Sequence, residues 1–134
     1  MKRIACTLLP ITMSALLVSV APAQQRTGAK STVLITKDVT GVPNREFRML
    51  AVEFEAGGAS GLHKHPGDES GTVIQGSVMV RIGDADYKAF TAGQTYSVPP
   101  LTPMDVKNTG TETAKVIAIL IIEKGKPASE AVAR

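Results

Sequence analysis

Nine residues near the C-terminal end, Lys115–Glu123 (Lys-Val-Ile-Ala-Ile-Leu-Ile-Ile-Glu), are almost wholly aliphatic and mostly β-branched. Branching at Cβ favours the extended chain. A run that is apolar on both faces suits a central strand covered on both sides. Such a strand needs neighbours, and the preceding sequence offers them. Ser77–Ile82 alternates cleanly, with Val78, Val80 and Ile82 opposing Ser77, Met79 and Arg81. Residues 46–55 alternate less perfectly, with Arg48, Leu50, Val52 and Phe54 on one face and Phe47, Met49 and Ala51 on the other. Shorter extended runs are predicted at 33–36, 87–90, 95–98 and 104–107. Gly and Pro punctuate these runs at hairpin intervals. No sustained helical period occurs between them. The pattern predicts an all-β fold: one small antiparallel barrel or sandwich over residues 33–124. Residues 24–32 are polar and unpatterned and read as a flexible leader. Residues 125–134, with Gly125 and Pro127 at their start, read as a loose tail, with at most a short helical turn at 128–133.

The first 23 residues belong to a different class of signal. Lys2 and Arg3 precede an apolar stretch from Ile4 to Val20, and Ala21-Pro22-Ala23 offers a small-residue cleavage site. This is the pattern of a secretory signal peptide rather than a retained anchor. It predicts an exported protein, periplasmic or secreted, beginning at Gln24 and without a stable membrane anchor. The only cysteine, Cys6, lies inside that segment, so the mature chain has no disulfide to draw on. Loss of Lys2 and Arg3 lowers the net charge from +3 to +1. No basic cluster remains to argue for nucleic acid. A small molecule or a metal ion is the expected partner.

The chain has two histidines, His63 and His65. Residues two apart on a strand share a face, so both imidazoles can converge on one point. The turn-forming Pro66-Gly67-Asp68 leads to Glu69 and can return its carboxylate toward them. Two imidazoles and a carboxylate suit divalent iron, manganese, zinc, nickel or copper, with coordination positions left open. No serine or cysteine nucleophile with a base is visible. The glycines at 57, 58 and 61 precede a strand and form no phosphate-binding loop.

The spacing Gly57-x5-His63-x-His65-x3-Glu69-x6-Gly76 resembles the first signature motif of the cupin family at every defined position. The second motif is met in part: Gly93, Pro99 and Asn108 fall at the right spacings, whereas Leu101 stands where that family has Gly and Met104 where it has His. The resemblance covers about residues 33–124. It implies a double-stranded β-helix, jelly-roll-like barrel with a metal in its mouth, commonly held by three histidines and a glutamate. Carried to this chain, that set is His63, His65 and Glu69, with Met104 as the candidate fourth member. Three roles are open to Met104: an apolar wall beside a two-His-one-Glu site, a thioether ligand for a soft ion such as Cu(I), or the mark of a barrel that binds an organic ligand without metal. Asp105 is expected to face away from Met104. Gln75, Arg48, Arg81, Tyr87 and Tyr96 are expected to satisfy neighbouring strands, solvent or packing. Both a metal-dependent enzyme and a non-catalytic small-molecule-binding or sensing module fit these residues. The resemblance and the edge position of residues 33–37 also imply a homodimer.

Overall fold

The protein is described by a computed structural model covering residues 27–133. The segment read as a signal peptide, residues 24–26 of the leader and Arg134 lie outside these described residues.

The described chain is all β, as the patterning predicts, and every strand pair is antiparallel. The strands in chain order are β1 (Thr27–Asp38), β2 (Arg45–Ala59), β3 (His63–Lys64), β4 (Asp68–Gln75), β5 (Ser77–Ile82), β6 (Lys88–Thr91), β7 (Thr95–Val98), β8 (Met104–Lys107), β9 (Ala114–Glu123) and β10 (Glu130–Ala131). They form one continuous sheet in the order β10-β3-β8-β2-β9-β4-β7, with β1 added beside β2 and the β5–β6 hairpin joined through β8. That path wraps into a nearly closed barrel.

The aliphatic run is central, as expected. β9 pairs with β2 from Arg45↔Glu123 to Phe54↔Ala114, and with β4 on its other edge. Val116, Leu120 and Ile122 on its inner face are buried, each contributing roughly 1.5–3 kcal/mol through burial of its side chain. Its other face is only half-buried at Ile117, Ile119 and Ile121. The two-sided cover expected for this strand is therefore incomplete.

Two expectations about the ends of the domain are corrected. Thr27–Thr32 is not a leader but the first half of β1, paired with the distal half of β2. Gly and Ala in this stretch carry little strand signal, so their pairing is decided by the available edge of β2 rather than by propensity. The tail is not loose: Glu130 and Ala131 form β10 against Lys64 and His63. Two residues of ladder are too few to leave a period in the sequence.

The second-motif residues have structural roles. Asn108 is buried, and its Nδ2 donates to the carbonyls of Phe54, Glu55 and Glu112 at 2.7–3.0 Å while its Oδ1 accepts from Gly110 N at 2.9 Å. It fastens the end of β2 to the β8–β9 connection. Leu101 adopts φ +58° with its side chain exposed, and its amide donates to His65 O at 2.8 Å. A left-handed conformation penalises a side chain with a Cβ. Leu101→Gly is therefore expected to stabilise the fold by about 0.5–1 kcal/mol, measured as a higher denaturation midpoint; an unchanged or lower midpoint would show that the position carries no strain.

Candidate functional site

The donors come together because β3 and β4 are joined by a turn that packs hard against β9. A Cβ at Gly67 would overlap the backbone of Ile121, so only glycine lets the turn pass this close. The chain then enters β4, where Glu69 lies opposite Leu120 on one side and Val98 on the other. His63 lies opposite Met104 of β8. As a result His63, His65, Glu69 and Met104 all line one cavity of about 200 Å³ inside the barrel. All four are buried. Most of the remaining wall is aliphatic, with Lys30, Ser31, Ser60, Tyr96 and Ser129 as further polar groups.

Backbone carbonyls set the chemistry of both imidazoles. His63 Nδ1 is 2.8 Å from Gly61 O, and His65 Nδ1 is 2.6 Å from Ala128 O. A carbonyl only accepts, so each Nδ1 carries the hydrogen in the neutral ring and each Nε2 presents a lone pair. The rings meet edge to face with centroids 4.8 Å apart. His65 Nε2 and Glu69 Oε2 approach to 2.9 Å, yet this buried carboxylate oxygen accepts no hydrogen bond of good geometry. Two electron-rich atoms at that distance call for a positive charge between them, a proton or a cation.

The donor types and the anchored Nδ1 atoms fit a divalent metal, which would take the Nε2 lone pairs and the carboxylate. Among the described residues, however, no three His, Cys, Asp or Glu side chains already stand in a metal-holding cluster. A cation would have to draw the donors together.

The other sequence candidates are placed as follows. Asp105 is wholly buried and turns toward the Tyr87 hydroxyl at 2.5 Å and Ser60 Oγ at 3.3 Å, away from the donors as expected. Gln75 is exposed and donates to Thr113 O. Arg48 pairs with Glu46, and Arg81 stacks on the Tyr87 ring. Tyr96 differs from expectation. It is buried on the cavity wall rather than carrying a wet hydroxyl, and its ring crosses β4 where a Cβ at Gly71 would overlap it. The Ala128 carbonyl was not legible in the sequence at all, because a main-chain acceptor is common to every residue.

Burial, and secondarily the Glu69 carboxylate, hold the Tyr96 phenol well above the usual tyrosine range. The unfolded chain ionises Tyr96 from about pH 10, whereas the folded chain does not. The contribution of this group to stability is complete below that pH and is lost above it, at about 1.4 kcal/mol per pH unit. Denaturant unfolding between about pH 9 and about pH 11 is expected to show a steeper decline for the wild type than for Tyr96→Phe; equal slopes would mean that Tyr96 ionises freely in the fold.

Comparison with known proteins agrees with this fold. The family model described as "Cupin domain" matches residues 50–120. The transcriptional regulator PuuR of Escherichia coli (strain K12), of helix-turn-helix type, is 33% identical over 79 residues, which are 58% of this chain and 42% of that protein. The chain thus spans less than half the length of this curated relative. Among solved structures, an oxalate oxidase in complex with the substrate analogue glycolate superposes with a TM-score of 0.64 at 23% identity, covering 90% of this chain and 63% of the other. A protein with a double-stranded β-helix domain from Klebsiella pneumoniae gives 0.62 at 17% identity, covering 79% and 85%. The signature spacing, the antiparallel barrel and the family match lead to one conclusion: this chain belongs to the cupin family.

Proposed function

We propose that this cupin binds a small molecule in the barrel cavity beside a divalent metal ion held by His63, His65 and Glu69, with Met104 as the apolar wall in the fourth position. The observation that carries this reading is the pairing of two carbonyl-anchored imidazoles with a buried carboxylate whose Oε2 lies 2.9 Å from His65 Nε2. When bound, such an ion acts as a Lewis acid or activates water at its open positions. The chain supplies the rest: His63 and His65 stay anchored through Nδ1, and a largely aliphatic wall lines the cavity around them. Tyr96 keeps its proton as a neutral neighbour of Glu69. A cavity of about 200 Å³ suits a small organic partner.

A second reading is a metal-free ligand-binding barrel, favoured by the lack of a ready-made three-donor cluster among the described residues. Elemental analysis of protein purified without a histidine tag separates the two. The metal reading expects close to one iron, manganese, zinc, nickel or copper per chain, lost in the His63→Ala/His65→Ala variant. Metal-free wild type that takes up none of these ions when they are supplied would leave the second reading.

The proposal extends to assembly and location. Val33, Leu34 and Ile35 are exposed on β1, and half-buried Phe47, Met49 and Ala51 lie opposite Ile121, Ile119 and Ile117 on the outer sheet face. These apolar side chains on the β1 edge and the outer sheet face support a homodimer, and the N-terminal pattern of Lys2 to Ala23 supports export. Light scattering of the exported product is expected to give the mass of two chains and mass spectrometry a chain starting at Gln24; a monomeric mass removes the first part, and a retained N-terminal segment the second.

A further inference from the structure

The C-terminal residues lie beyond the stretch matched by the family model, which ends at residue 120, yet they return to the site. After β9 the chain turns at Gly125, and Ala128 and Ser129 reach the cavity wall. Ala128 O lies 2.6 Å from His65 Nδ1. Glu130 and Ala131 then pair with Lys64 and His63, Lys64 Nζ lies 3.7 Å from the Glu130 carboxylate, and Val132 N donates to Leu62 O at 3.0 Å. The segment that carries both histidines is therefore clasped by the tail along one edge. On its other edge β3 has a single bridge, His63↔Met104.

The two histidines are anchored differently. His63 is held by Gly61 O, two residues away in its own segment, whereas His65 depends on a carbonyl 63 residues along the chain. The clasp is also shallow. Lys126, Pro127, Glu130, Ala131 and Ala133 are exposed, and no described tail residue is fully buried. Far fewer contacts hold it than hold the barrel strands, so the tail opens at lower cost than the barrel.

We infer that residues 128–132 form a strap that fixes His65 as its Nδ1–H tautomer and closes one wall of the cavity. Docked, the strap keeps hydrogen on His65 Nδ1 and sets the ring with Nε2 toward Glu69. Released, it leaves His65 without the acceptor that selects this tautomer and uncovers the cavity at Ala128 and Ser129. Ala128 is thus a positioning residue, acting through its main chain, and access to the cavity is coupled to docking of the tail. The inference rests on the proposed function only in treating His65 as a donor.

The test uses the full chain free of metal, so a negative elemental analysis and a negative result here are separate findings. Ala131→Pro/Val132→Pro removes two amide donors, one of them the donor to Leu62 O, and two prolines do not fit the ladder. Long-range proton–nitrogen correlation reads which ring nitrogens of each imidazole carry hydrogen. Wild type is expected to show Nδ1–H at both. The double-proline variant is expected to lose part of the Nδ1–H population at His65 while His63 keeps Nδ1–H, and Val132→Ala, which retains its amide, is expected to match wild type. An unchanged His65 in the proline variant overturns the strap. So does a change at both histidines together, which would report general loss of the fold rather than loss of one acceptor.

Discussion

The barrel is organised around the ladder that β9 makes on both of its edges. Ten consecutive residue pairs join it to β2, and β4 lies along its other side. A strand paired on both edges has its backbone polar groups satisfied wherever it is buried, so its inner face can consist of Ala114, Val116, Ala118, Leu120 and Ile122 without polar cost. Everything near the site is measured from this strand. Gly67 is pressed against Ile121, Glu69 stands opposite Leu120, and the tail that reaches His65 is the continuation of β9 itself. The absence of cysteine after Cys6 places the whole burden of holding these positions on pairing and packing.

Within that frame the site holds an unsettled electrostatic arrangement. Two imidazoles are locked by main-chain acceptors so that their Nε2 atoms present lone pairs, and a buried carboxylate faces one of them. Carboxylates are costly to bury without compensation. Most of the cavity wall is aliphatic, with Lys30 and three serines among its polar groups, and Tyr96 remains a neutral phenol. A proton or a cation between His65 Nε2 and Glu69 Oε2 relieves that cost. Met104 sits where a further imidazole would complete the family's usual donor set, and its thioether leaves that side of the cavity weakly polar.

Much of this was legible in the sequence, for physical reasons that differ from residue to residue. β5 and β9 could be read because alternation and β-branching act locally. His63, His65 and Glu69 could be associated because two-residue spacing and a Pro-Gly turn fix direction over a few residues. β4 was less visible: Asp68-Glu69-Ser70-Gly71-Thr72 is poor in strand formers, and the neighbouring strands β9 and β7 impose its conformation. Thr27–Thr32 and the tail escaped for the same reason, since each is a strand only because an unoccupied edge lies beside it. Tyr96 was read as surface-tipped because nothing local reveals that Gly71 makes room for its ring. The Ala128 carbonyl is beyond any reading by residue type.

The β2–β9 register has a kinetic side as well. Arg45 lies opposite Glu123 and Phe54 opposite Ala114, so this uninterrupted ten-pair ladder joins residues 45–54 to residues 114–123. Pairings of this separation require loop closure before they return any stability, and they fold slowly. During synthesis β2 can form this ladder only after β9 has left the ribosome, while β5 and β6 can already close as a local hairpin. The chain therefore stays without this ladder until residues 114–123 have been made, and a substitution that weakens β9 acts on folding only from that point on.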